Sequence, residues 1–178
     1  MNPTRLKTTC LGLTLLFGCL ASSAHAASDN PEQYPEPDSA QLGIRHQQLT
    51  WHQGVALATL GAMAGTATLG TLSANNQLGG IGRDLHLLGA GLTGGLYLVA
   101  GTLALGAPPP LIPSEPGQWD SVGLHRSLAW LHATTMASTV GLGAATIFGQ
   151  DTQKLHGLAG WTTLGLLAVS AGVIAFGE

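Results

Sequence analysis

Beyond residue 47 the chain alternates between long apolar stretches and short polar breaks. Four stretches each predict a helix: Gln48 to Ser73, Asp84 to Ala107, Ser121 to Phe148 and Thr152 to Phe176. Each holds about 20 residues nearly free of charge, the length that crosses a bilayer as a helix. Arg126 is the exception. Glycine and alanine recur through all four, as in Gly61, Gly65, Gly70, Gly89, Gly141 and Gly143. Small residues let membrane helices approach closely, and they also leave room for a planar macrocycle. The links at 74–83 and 149–151 are short, while the middle link carries Pro108, Pro109, Pro110, Pro113 and Pro116. Short links favour antiparallel neighbours. The expected fold is all-α, a transmembrane up-down-up-down four-helix bundle over residues 48–178.

Two segments precede the bundle. Residues 1–26 read as a cleaved secretory signal. Arg5 and Lys7 give a positive start, Leu11 to Leu20 a short apolar core, and Ala24-His25-Ala26 a small-residue cleavage site. A lipoprotein signal ending at Cys19 is the alternative, with bulky Phe17 against it. Cleavage after Ala26 removes both Cys10 and Cys19, and with them any thiolate site or covalent haem attachment. Residues 27–47 are acidic and contain Pro31, Pro35 and Pro37, which suits a solvated linker. A cleaved signal leaves the mature N-terminus outside. The expected location is the inner (plasma) membrane, with that end in the periplasm of a Gram-negative host. The positive-inside pattern adds little, since Arg83 and Lys154 fall inside and Arg45 and Arg126 outside.

Composition narrows the function. Only 8% of residues are charged, against about one quarter in soluble domains. The net charge of −3 argues against nucleic-acid partners. No nucleophile–base pair, phosphate-cradling loop or intramembrane carboxylate pair is evident, which disfavours hydrolytic and phosphoryl chemistry.

Histidine is the candidate chemistry. His52, His86, His125 and His156 each stand near the start of one helix. An ionisable side chain that faces a membrane bundle marks a functional site by default. The expected topology sorts them into an outer pair, His52 with His125, and an inner pair, His86 with His156. Each pair lies on diagonal helices. Neighbouring axes about 8–10 Å apart put diagonals roughly 12–14 Å apart, a span that two inward histidines can close around one metal. Two such pairs predict two non-covalent b-type haems, with His52, His125, His86 and His156 as iron ligands. Two imidazoles fill both axial positions and suit electron transfer. Zinc or copper is the weaker alternative, because a structural zinc site wants four ligands.

His132 lies seven residues after His125, on nearly the same helix face. Either could oppose His52. Repeat alignment favours His125, leaving His132 as a hydrogen-bonding or propionate neighbour. Leu124-His125 with Trp130 and Leu155-His156 with Trp161 share a Leu-His-x4-Trp pattern, which makes the third and fourth helices look related. Arg126 is a candidate propionate partner, with a lipid headgroup as the alternative. His46 is expected to be exposed, and Trp51 and Trp119 to sit at the membrane interface.

The segments Leu124-His125-Arg126-Ser127-Leu128-Ala129-Trp130 and Lys154-Leu155-His156-Gly157-Leu158-Ala159-Gly160-Trp161 resemble the cytochrome b561 family in its broad sense. The resemblance spans residues about 48–176. It implies a core in which four consecutive helices each give one histidine to two b-type haems on opposite membrane faces. It also implies transmembrane electron transfer, by an electron carrier or an oxidoreductase subunit. Family members often carry six helices, a basic cluster for ascorbate or a fused redox domain. This chain has none of these, so a separate redox protein or quinone is the expected partner besides haem and lipid. Self-association into a homodimer stays open. Two other readings compete: a membrane scaffold or assembly subunit whose histidines are not ligands, and a single-haem, quinone-linked subunit.

Overall fold

Asp38 marks the end of the proline-containing tail, and its carboxylate accepts a hydrogen bond from the Ala40 backbone N–H at 2.9 Å. That cap satisfies a backbone donor which the first helical turn cannot. In this computed structural model, which describes residues 38–109 and 120–177, helix α1 therefore runs Ser39–Ala74. It starts nine residues before Gln48, so residues 39–47 belong to the helix rather than to the linker. No proline follows Pro37 until Pro108, and nothing between them opposes helix extension. The signal segment, most of the acidic tail, Glu115 and Trp119 lie outside the described residues.

α1 ends where Asn76 takes a left-handed conformation, φ 56°. A 3-10 turn, Gly79–Ile81, then leads into α2, Gly82–Leu105. α3 spans Ser121–Ile147 and is capped by Asp120, which accepts from the Gly123 N–H at 2.6 Å. Gly149, at φ 83°, turns the chain into α4, Gln153–Phe176. These bounds lie within about two residues of the sequence expectation, apart from the start of α1. There is no strand among the described residues.

α1 packs along α2, α3 along α4, and the two helix pairs join through α1 and α4. α2 and α3 pack less closely and share a side-chain hydrogen bond, Tyr97 Oη to His132 Nδ1 at 2.9 Å. α1 begins thirteen residues before His52, whereas α3 begins four before His125. The difference of nine residues is about 14 Å of extra helix. Arg45 on that extension donates to the Pro108 carbonyl just beyond α2.

The interior is polar and the exterior apolar. Buried positions include Thr59, Thr66, Thr93, Thr139, Thr163 and Ser170, with Met63, Ala100 and Met136. Leu57, Leu88, Leu98, Val140, Leu158 and Val169 are exposed. This inverts the water-soluble pattern, in which large apolar side chains collect inside, and fits an exterior that meets lipid. α1, α2 with its leading turn, and α4 are long and apolar enough to cross a membrane. α3 does not reach that hydropathy, contrary to the expectation of four such helices. His125, Arg126, His132 and the hydroxyls of Thr134, Thr135, Ser138 and Thr139 dilute it.

Buried hydroxyls are paired. Those of Thr59, Thr66, Thr139 and Thr163 each lie 2.8 Å from the carbonyl one turn back. Thr66 donates to its carbonyl and accepts from Thr93 across α1 and α2 at 2.9 Å, while Thr139 and Thr163 lie 3.2 Å apart across α3 and α4, where one donates to the other in place of its own carbonyl. Such contacts inside a membrane average about 0.6 kcal/mol. Thr163→Val keeps the shape and removes the hydroxyl. It should lower the unfolding free energy in detergent by about 0.5–1 kcal/mol. Adding Thr139→Val should cost less than the sum of the single changes, as read in SDS-denaturation titrations.

Candidate functional site

The four histidines come together in two pairs. The His52 and His125 ring centroids are 6.3 Å apart, with planes 75° apart. Those of His86 and His156 are 5.8 Å apart, at 82°. Each pair bridges helices that do not pack directly on one another: α1 with α3, and α2 with α4. The expected diagonal pairing is therefore the arrangement found.

Every ring is held the same way from behind. His52 Nδ1 lies 2.9 Å from the Ala100 carbonyl, and His86 Nδ1 lies 3.0 Å from that of Thr66. His125 Nδ1 lies 3.1 Å from the Ser170 carbonyl, and His156 Nδ1 lies 2.9 Å from that of Thr139. A carbonyl can only accept, so each Nδ1 carries the hydrogen and donates it. In a neutral imidazole this leaves the lone pair on Nε2. No Nε2 of the four finds a hydrogen-bond partner among the described residues. Metal-bound histidines almost always use their second nitrogen in this way.

The ring spacing has a physical meaning. Metal–imidazole bonds of about 2 Å on both sides, plus roughly 1 Å from Nε2 to each ring centre, put the centroids about 6 Å apart. Both observed separations match that span. No group of three or more His, Cys, Asp or Glu converges among the described residues. The donors offered are pairs of imidazoles, which suit two-coordinate axial ligation better than tetrahedral zinc.

His132 does not join the first pair. It hydrogen-bonds Tyr97, and their rings stack edge to face at 5.7 Å. The partner brought to His52 is His125. Arg126 is exposed and touches neither pair, and His46 is exposed on the α1 extension. Trp51 and Trp130 are exposed, while the Trp161 indole donates to Thr71 Oγ1 at 3.3 Å.

Two glycines admit the second pair. A Cβ at Gly70 would lie 2.9 Å from the His86 ring, and one at Gly143 would lie 2.9 Å from that of His156. Gly94 and Gly141 differ: they are half-buried, yet a Cβ at either would meet nothing within 4 Å. Open space therefore lies beside them. Near the first pair, Gln48 is one turn before His52, and its buried side-chain oxygen has no hydrogen-bond partner among the described residues.

These contacts expose an internal repeat that relates α1 to α3 and α2 to α4, rather than α3 to α4. Met63, Thr66 and Gly70 follow His52 at the spacings by which Met136, Thr139 and Gly143 follow His125. Thr93 follows His86 as Thr163 follows His156. The Thr-x3-Gly step, fourteen residues after each of these α1 and α3 histidines, was the available sequence signal. Ala100 and Ser170 stand at the same fourteen-residue spacing after His86 and His156 but share no residue type, and Tyr97 carried no signal.

No protein-family model matches the chain, and neither a curated protein nor a solved structure matches it. The glycine contacts give a direct check of the ring packing. Gly70→Ala and Gly143→Ala should each destabilise the protein by about 1–3 kcal/mol, the usual cost of overpacking. Gly65→Ala and Gly141→Ala, with open space at the Cβ, should be near neutral in the same thermal-melt assay.

Proposed function

We propose that the chain is a membrane electron-transfer protein with two b-type haems, a four-helix diheme cytochrome of the cytochrome b561 kind. One observation carries the reading. Two histidine pairs have ring centroids 6.3 and 5.8 Å apart, with all four Nδ1–H groups anchored to backbone carbonyls. Spacing and tautomer both fit paired axial ligation.

The helices run up-down-up-down in this reading, with His52 and His125 toward the outer face of the inner membrane and His86 and His156 toward the inner face. Haem supplies a one-electron iron couple when bound. The chain's own part is to hold the ligands and keep the rings in one tautomer. Its apolar exterior seats the centres in lipid, and its open glycine faces leave room for a bulky planar group. Gln48, one turn outward of His52, offers a buried amide to the polar edge of an outer-face group. Two filled axial positions favour electron transfer over activation of small molecules. The electron donor and acceptor are separate redox proteins or quinones.

The test is a spectrum of protein expressed with ample haem and reduced with dithionite. A reducible α-band and two haems per chain are expected. His86→Ala or His156→Ala should remove one haem and leave the other, and so should His52→Ala or His125→Ala. His132→Ala should retain both. A colourless, folded protein would sink the proposal.

A further inference from the structure

The two histidine pairs differ in symmetry. Around His86 and His156 the halves of the chain match: Thr66 and Thr139 give the carbonyls, and Gly70 and Gly143 admit the rings. Around His52 and His125 they do not. Ala100 stands in α2 where α4 has Ser170, each fourteen residues after its helix's histidine.

That exchange adds one hydrogen-bonding atom. Ser170 is 2% exposed, and its Oγ lies 2.9 Å from His125 Nδ1. Its own carbonyl lies 3.1 Å from the same nitrogen. The carbonyl requires the hydrogen on Nδ1, so Oγ serves as a second acceptor for that one N–H. His52 has a single acceptor, the Ala100 carbonyl.

We propose that Ser170 is a positioning residue that tunes the His52–His125 centre by strengthening one of its two ligands. The inference rests on the haem reading above. A more fully hydrogen-bonded Nδ1–H pushes electron density onto Nε2 and makes the imidazole a more basic ligand. A more basic axial ligand stabilises the more positive, ferric iron. Ser170 thus holds this centre at a lower reduction potential than alanine would. Among the described residues, the second centre has no equivalent hydroxyl on its histidine nitrogens.

The test is a redox titration of the haem-loaded protein, followed by visible absorption. Ser170→Ala removes Oγ and leaves the backbone carbonyl. One of the two titrating components should then shift upward by roughly threefold in its reduced-to-oxidised ratio, about 30 mV at 59 mV per tenfold. The other component should stay in place. Ala100→Ser adds a hydroxyl beside His52 and should move the same component down. Two haems with unmoved potentials in both variants would overturn the Ser170 role alone. So would equal shifts of both components. A wild-type protein that binds no haem overturns both this inference and the function it rests on.

Discussion

The structure hangs on four hydrogen bonds from histidine Nδ1–H groups to backbone carbonyls of neighbouring helices. A helical carbonyl has two lone pairs, so it can accept from an imidazole as well as from its own helix. Each bond ties two helices at a fixed level. Thr66 on α1 holds His86 on α2, and Thr139 on α3 holds His156 on α4. The same bond fixes a tautomer and aims a lone pair. Packing and chemistry are therefore set by one contact. Among the described residues the four Nε2 atoms make no hydrogen bond and stay available as acceptors or ligands.

The repeat gives this arrangement its logic. α1 with α2, and α3 with α4, are built to one plan: each helix carries a histidine held by the backbone of its packing partner. Yet neither half contains a complete pair. His52 meets His125, and His86 meets His156, only when the halves dock. The direct helix packing between halves runs through α1 and α4, and Tyr97 with His132 and Trp161 with Thr71 add hydrogen bonds across the same seam. A group bound at both pairs would act as the clasp between halves, and its binding free energy would count as folding free energy.

Much of this was legible in the chain. Apolar length and turn chemistry place α2, α3 and α4 within about two residues, because those helices end at glycine, proline or capping aspartate. α1 extends further than its apolar stretch because the acidic, proline-containing composition that marks a linker ends at Asp38, whose cap starts a helix that runs on without a break. The pairing of His52 with His125 over His132 was legible from the repeat alignment, though not from helix periodicity alone. Both lie on nearly one face of α3, and the difference is made by Tyr97 on another helix. The carbonyl partners were hidden for a related reason: a backbone acceptor has no residue signature. α3 falls short as an apolar helix because it carries Arg126, two histidines and several hydroxyls, of which Thr139 is buried and the two histidines half-buried.

That interior separates its polarity by kind. Imidazoles form the two paired centres, threonine hydroxyls knit α1 to α2 and α3 to α4, and Tyr97 with His132 links α2 to α3. Among the described residues, no Asp, Glu, Lys or Arg is buried. The threonine hydroxyls there are neutral dipoles held by neighbouring carbonyls. Fixed dipoles of this sort stabilise charge without reorganising. The same feature explains how a core of threonine can sit under a shell of leucine: Thr59, Thr66, Thr139 and Thr163 close on the helices that bear them, and Thr93 and Ser170 on a neighbouring helix.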